Sequence, residues 1–232
     1  SRSMLGKLSI PIPPLPTQKT IVAFLDRKTQ VIDSLINHHK RQLELLKENR
    51  ASVIYQTVTK GLDSTVKRKD SGVSYIGGVP CCWMILSIKM VYTCVLGKML
   101  QNTPKSSEDR LVAYIKSQHI QWSGIRGDKP KMWASPKEIV QYQLKKGDVL
   151  ICEGGDVGRA TYLKQDLPNT IIQNAVHRVR SPVHSNKFLF YVMSVIHSSG
   201  WLDVVCNKAT IAHLTKEKLG GIMIPVRPPN EQ

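Results

Sequence analysis

The chain has 232 residues and a formal net charge of +16, from 33 Lys and Arg against 17 Asp and Glu. Hydrophobic residues make up 41% of it, enough for a packed core, which excludes wholesale disorder. No apolar run nears the ~18 residues of a membrane span.

The basic excess is spread along the chain. Residues 17–70 hold 11 basic and 6 acidic residues, and residues 71–224 hold 19 and 10. Unpaired Lys and Arg attract phosphate, so nucleic acid is the partner class this balance favours over an acidic membrane or protein surface. Five cysteines, an odd number that includes adjacent Cys81-Cys82, suit free thiols in a reducing cytoplasm better than a disulfide framework. Ser1-Arg2-Ser3-Met4 leads straight into a proline-rich piece, which predicts no secretory leader.

In chain order, residues 5–16 form a connector whose prolines (Ile10-Pro11-Ile12-Pro13-Pro14-Leu15-Pro16) remove backbone donors and fix φ. Thr17 can cap a helix, and no Pro or Gly follows until Gly61, which predicts one helix over 17–60, roughly 60 Å long at 1.5 Å per residue. Its heptad positions read Leu25, Ile32, His39, Leu46 and Val53, then Thr29, Ile36, Leu43, Arg50 and Thr57, with Leu35 widening the stripe. One helix cannot bury this stripe against itself, so a second helix must cover it, and Leu25, Ile32, Leu35, Ile36, Leu43, Leu46 and Val53 are the expected partner-helix residues. His39 reads as a packing or register residue of that seam, since no further metal ligands lie at helical spacing.

Residues 61–70 are polar and read as a linker. From Ser71 the texture changes to short β-like runs (111–115, 148–152, 170–172, 177–180) between short helical stretches (136–142, 187–197, 214–219). This predicts a mixed domain over 71–226 whose last strand is 221–226. The two ends of the chain match at an offset of 214: 6 of 14 positions are identical, including Leu5-Gly6 with Leu219-Gly220, Ile10-Pro11 with Ile224-Pro225 and Gln18 with Gln232. Residues 227–232 therefore read as the start of a second connector, cut off where a second helix would begin, as in a modular protein of repeated helix and domain units.

Taken together, the connector with its terminal Gln18, the helix strings Ile32-Asp33-Ser34-Leu35-Ile36, Glu44-Leu45-Leu46 and Val58-Thr59-Lys60-Gly61-Leu62-Asp63, the stretch Lys69-Asp70-Ser71-Gly72-Val73 with Pro80-x-x-Trp83, and the domain motifs Lys146-Gly147-Asp148, Gly154-Gly155-Asp156-Val157-Gly158-Arg159 and Ala209-Thr210-Ile211 resemble the DNA specificity subunit of type I restriction–modification systems. The sequence departs from that family at Thr17, where Glu is usual, at Tyr75, and at Cys81-Cys82. The resemblance implies an α+β fold, with a long coiled-coil-forming helix followed by a mixed α/β target-recognition domain. It also implies a half subunit, non-catalytic and without cofactor. The domain would read one half of a bipartite site in double-stranded DNA. The helix would space the halves, dock methyltransferase (modification) subunits and pair as a homodimer, with a restriction/translocase subunit joining through the complex and no membrane involved. The alternative is a helical scaffold that binds methyltransferase subunits without selective DNA reading.

Base reading needs Arg for guanine and Asn or Gln for adenine, and phosphate contacts need Lys, Arg and backbone amides. Four stretches supply these: Gln118, Gln121, Arg126, Lys129 and Lys131; the glycine-rich 154–159 with Arg159; Gln173, Asn174, His177 and Arg178; and Lys208 with Thr210. Each has a plainer reading, since 154–158 also suits a hairpin turn and Arg159 also suits a pair with Asp156. Enzyme readings fail on chemistry. Arg227-Pro228-Pro229-Asn230 lacks the flanking groups of an amine methyltransferase motif, residues 154–158 lack the Lys-Ser/Thr of a phosphate loop, and no glycine fingerprint follows a strand. Asp148 with Glu153 lacks the lysine of a nuclease triad, and the cysteines have no zinc spacing.

Overall fold

The computed structural model describes residues 11–206 and 213–226. The first six residues of the expected connector, Lys208 and Thr210, and the second connector at 227–232 lie outside the described residues. The chain divides into two compact units, Ser1–Arg50 and Ala51–Gln232.

Helix α1 runs over Leu15–Lys60. It begins two residues before the expected start, so Thr17 lies inside the first turn and is not its cap. Pro16 takes an early helical position, where its fixed φ suits the helix and its missing N–H leaves nothing unsatisfied. Gln18 closes the turn, donating from its backbone N to Pro14 O at 3.1 Å and from its side chain to Pro13 O at 2.7 Å. Along the first unit the apolar stripe is bare: Leu25, Ile32, Leu35, Ile36, Leu43 and Leu46 are 45–64% exposed. His39 turns to Gln42 on its own helix, Nδ1 to Oε1 at 3.0 Å.

The second unit takes in the last ten residues of α1, so the unit boundary lies before the helix ends rather than at the expected 60/61. Val53 is exposed, but Val58 and Thr59 are buried and Val58 joins the domain core. The Tyr55 hydroxyl donates to Ile76 O. Gly61 stops the helix with φ +75, and a Cβ there would press the Trp83 ring at 3.3 Å. Here glycine is required both by the left-handed backbone and by close packing.

The expected linker ends in a strand. β1 (Arg68–Asp70) pairs antiparallel with β2 (Gly78–Pro80). There follow β3 (Met84–Ser87), α2 (Ile88–Val91), β4 (Thr93–Leu96), β5 (Arg110–Ile115), β6 (Ile120–Gln121), β7 (Gly124–Ile125), β8 (Lys131–Ala134), α3 (Pro136–Tyr142), β9 (Val149–Cys152), β10 (Ala160–Tyr162), β11 (Thr170–Ile172), β12 (Val176–Arg180), α4 (Asn186–Ser198), α5 (Trp201–Val205), α6 (Lys216–Gly221) and β13 (Met223–Val226). An antiparallel sheet has the order β10-β9-β12-β4, a mixed sheet the order β11-β5-β8, and β13 returns to pair with β3. β9 is buried at all four residues, and the apolar side of α4, with Leu189, Met193 and Ile196, lies in the same core.

The runs expected as strands and helices are present with ends shifted by a few residues; the last helix starts at Lys216, capped by the Thr215 hydroxyl. The strands at 84–87, 93–96, 131–134 and 160–162 were not expected. Each is three or four residues long, too short for a local period; those at 84–87, 93–96 and 131–134 are defined by distant partners, whereas 160–162 folds back on β9 as a hairpin, so the plainer reading of 154–158 as a hairpin turn holds. The two larger sheets meet at Gly97. Its N–H donates to Val176 O, and a Cβ there would collide with the carbonyl oxygens of Ile172 and Gln173. That close backbone approach fixes the turn between β11 and β12 at one end of the domain.

Candidate nucleic-acid interface

Three of the four expected stretches converge at that end, tied through Ser117. This residue opens a single 3₁₀ turn, Ser117–His119, after β5. Its carbonyl accepts from Arg159 Nη2 at 3.3 Å and from the Cys152 thiol at 3.6 Å, and its hydroxyl donates to Ala175 O at 3.4 Å. Burial pushes the Cys152 thiol up to about 11, so it stays protonated and can donate. Glu153 N also donates to Ala175 O at 2.9 Å, and Glu153 O accepts from Leu214 N at 2.8 Å. The turns 117–121, 153–159 and 173–175, with His213-Leu214, thus share one hydrogen-bonded framework.

The expected residues fall into three groups. Gln118, Arg126, Lys129 and Lys131 are exposed, and Gln121, Gln173 and Asn174 are half-buried. Gln121 Nε2 donates to Gln118 O, and Arg126 N donates to His119 O, which shapes the small β6–β7 hairpin. Lys116 and Lys129 both bear on the buried His119, whose pKa is held below its ordinary value by burial first and by these two cations next. Lys116, Arg126 and Lys129 are therefore grouped around His119 and the hairpin.

Arg159, His177 and Arg178 are the corrections, because the fold turns them inward. Arg159 pairs with Asp156 at 3.2 Å besides its bond to Ser117, so the plainer reading of that residue holds. Asp156 also meets His197 Nε2 at 2.6 Å, which braces the glycine-rich turn against α4. His177 has no exposed surface, and its Nε2 donates to Leu214 O at 2.7 Å. Arg178 is 9% exposed and gives Nη1 to Gln141 O and Gln143 O at 2.9 and 2.7 Å. Both sit on β12, an interior strand, where a polar side chain must find partners inside the protein. The pair Asp148 and Glu153 offers no joint carboxylate site either, since Asp148 is buried and bonded to Arg180.

Ser117, Glu153 and His213 were not among the expected interface residues, yet the hydrogen bonds that join the three loops run through Ser117 and Glu153, and His213 lies beside Gly154. The available signal was that Glu153 directly precedes Gly154-Gly155: where glycines let a ligand edge come close, the neighbouring side chain becomes the contact. A Cβ at Gly154 would touch the His213 imidazole at 3.5 Å, and one at Gly155 would meet no described residue within 4 Å. Burial raises the pKa of the Glu153 carboxyl, opposed by His213 and reinforced by Glu217.

Comparison with known proteins places this architecture. The chain is 24% identical over 240 residues to the putative type I restriction enzyme MjaX specificity subunit of Methanocaldococcus jannaschii, covering all of this chain and 52% of that protein. It is 25% identical over 158 residues to the MjaVIII specificity subunit of the same organism, covering 67% and 33%. The chain thus spans about half, or less, of the length of these relatives. Among solved structures, the HsdS subunit from Thermoanaerobacter tengcongensis matches with a TM-score of 0.54 at 18% identity over 96% of this chain and 49% of that one. A chain from a study of complex assembly and conformational transition of the type I R-M system matches with a TM-score of 0.61 at 19% identity over 96% and 50%. These two likenesses speak for the fold. The family profile "Type I restriction modification DNA specificity domain" matches residues 1–45 and 106–232, well over half of the chain, and the protein belongs to that family.

Proposed function

We propose that this chain is a sequence-specific DNA-binding specificity subunit of a type I restriction–modification complex. Its domain reads one half of a bipartite site. Its helix spaces two such domains, pairs with a second copy and docks the modification subunits, through which the restriction/translocase subunit joins. Catalysis belongs to those partners. The observation that carries this reading is the convergence of three polar loops on one end of the domain, with Gln118, Asn174 and Arg126 unburied and basic residues around the hairpin. Family membership supports it.

A gel-shift panel of random duplexes, with a type I modification subunit present, tests it. The reading expects a complex with one selected sequence. The bare apolar stripe on α1, together with the inward turn of Arg159, His177 and Arg178, favours a second reading, a helical scaffold. That reading expects the protein complex to form without any selected sequence.

A further inference from the structure

We propose that Glu153, with His213 beside it, is a base-reading pair that takes the exocyclic amine of an adenine or cytosine in the major groove. The inference rests on the DNA-reading function proposed above and names residues and a base class for it.

Several polar groups at the loop end are committed to one another. Arg159 and His197 both pair with Asp156, and Gln121 bonds Gln118 O. Glu153 is different: its backbone N–H and C=O are both held, by Ala175 and Leu214, whereas no described donor bonds its carboxylate. The residue is fixed between two loops with its acceptor open. That is a preorganised contact, which loses little freedom on binding.

The carboxylate is also accessible. Gly154 and Gly155 follow directly, no atom of the described residues lies within 4 Å of a Cβ built at Gly155, and the His213 ring lies beside Gly154. A base edge can approach along this glycine floor. The carboxylate then accepts from an amine while the imidazole donates to a neighbouring acceptor. Adenine presents N6–H beside N7, and a C·G pair presents cytosine N4–H beside guanine O6.

DNA phosphates repel a carboxylate, so Glu153 penalises every site that offers it no donor. Partial burial, which raises its pKa, shows that water only partly shields it. In a chain of net charge +16, such a residue serves discrimination rather than affinity.

The test is selection from a randomised duplex library with the full chain and a type I modification subunit present, comparing wild type with Glu153→Gln, Glu153→Ala and His213→Gln, and with melting temperatures as the folding control. The expected result is a wild-type motif with an A·T or C·G position at which Glu153→Ala loses discrimination about 10- to 100-fold. Random-duplex affinity should be equal or higher, and the salt dependence unchanged. If Glu153→Ala selects the same motif with the same stringency, the assignment is overturned while the proposed function stands. If it loses all binding with an unchanged melting temperature, Glu153 supplies affinity and the assignment is also overturned. If wild type selects no motif, the proposed function and the assignment fall together.

Discussion

Asp148 holds Arg180 at two points, Oδ1 to Nε at 2.6 Å and Oδ2 to Nη2 at 2.8 Å. The acid also accepts from Lys145 N at 2.8 Å, so one buried side chain ties the turn before β9 to the end of β12. The charge is tolerated inside because both oxygens have donors. Asp148→Asn removes the charge that two guanidinium donors require. The Arg180 side chain is 35% exposed and regains some hydration, so the loss falls below the full cost of a broken buried pair, at about 2 kcal/mol. Urea unfolding of the variant measures this, and an unchanged midpoint would show the pair to be idle.

His177 predicts a pH dependence. Its Nε2 carries the proton donated to Leu214 O, and its buried Nδ1 has no partner. Protonating Nδ1 would bury an unsatisfied charge, which is why burial holds this pKa below its ordinary value. Glu217 and Lys216 act on it in opposite directions. The unfolded chain therefore binds the extra proton first as pH falls. The contribution to stability is complete above the unfolded value, ~6.5, and declines as pH drops below it, by at most about 1.4 kcal/mol per pH unit. Melting curves at pH 7.5 and 5.5 should show the loss, and His177→Gln, which keeps a donor for Leu214, should flatten it.

The stripe on α1 predicts association. Ile36 and Leu46 are 45% and 64% exposed, and neither can be buried by its own helix. Replacing both with Asp should turn a sedimenting dimer into a monomer and leave the second unit's melting transition in place. Variant dimers of undiminished stability would place the interface elsewhere.

Salt dependence separates surface cations from internal ones. Arg126, Lys129 and Lys131 are exposed around the hairpin, so the triple alanine variant should lower the slope of log affinity against log salt by up to about three. Arg178 bonds the carbonyls of Gln141 and Gln143. Arg178→Met should leave that slope alone and instead cost about 2 kcal/mol of stability through carbonyls left unpaired in the interior. A changed slope in Arg178→Met would mean that the residue leaves its pocket to meet DNA.

Much of this was legible in the residues. The long helix followed from forty-odd residues without Pro or Gly and ended at Gly61 as expected, because backbone preference acts locally. Helix α3 was legible for the same reason: Ser135 and Glu138 form a capping box within four residues. Strands such as β3 and β4 were not, since four residues become a strand only when a distant partner pairs with them. Within the interface, Gln118 and Arg126 were legible as exposed polar residues, whereas Arg178 carries the same chemistry and is buried.

The sequence by itself determined the helix, its uncovered stripe, the class of the second unit and the family, all of which depend on composition, period and ordered local motifs. Only the tertiary structure decided which cations face outward. The side chains of β12 acquire their direction from β9 and β4 on either side, and that pairing draws His177 and Arg178 into the core. The same structure brings Ser117, Glu153 and His213 together across about a hundred residues of chain, through hydrogen bonds that exist only once the sheets have closed.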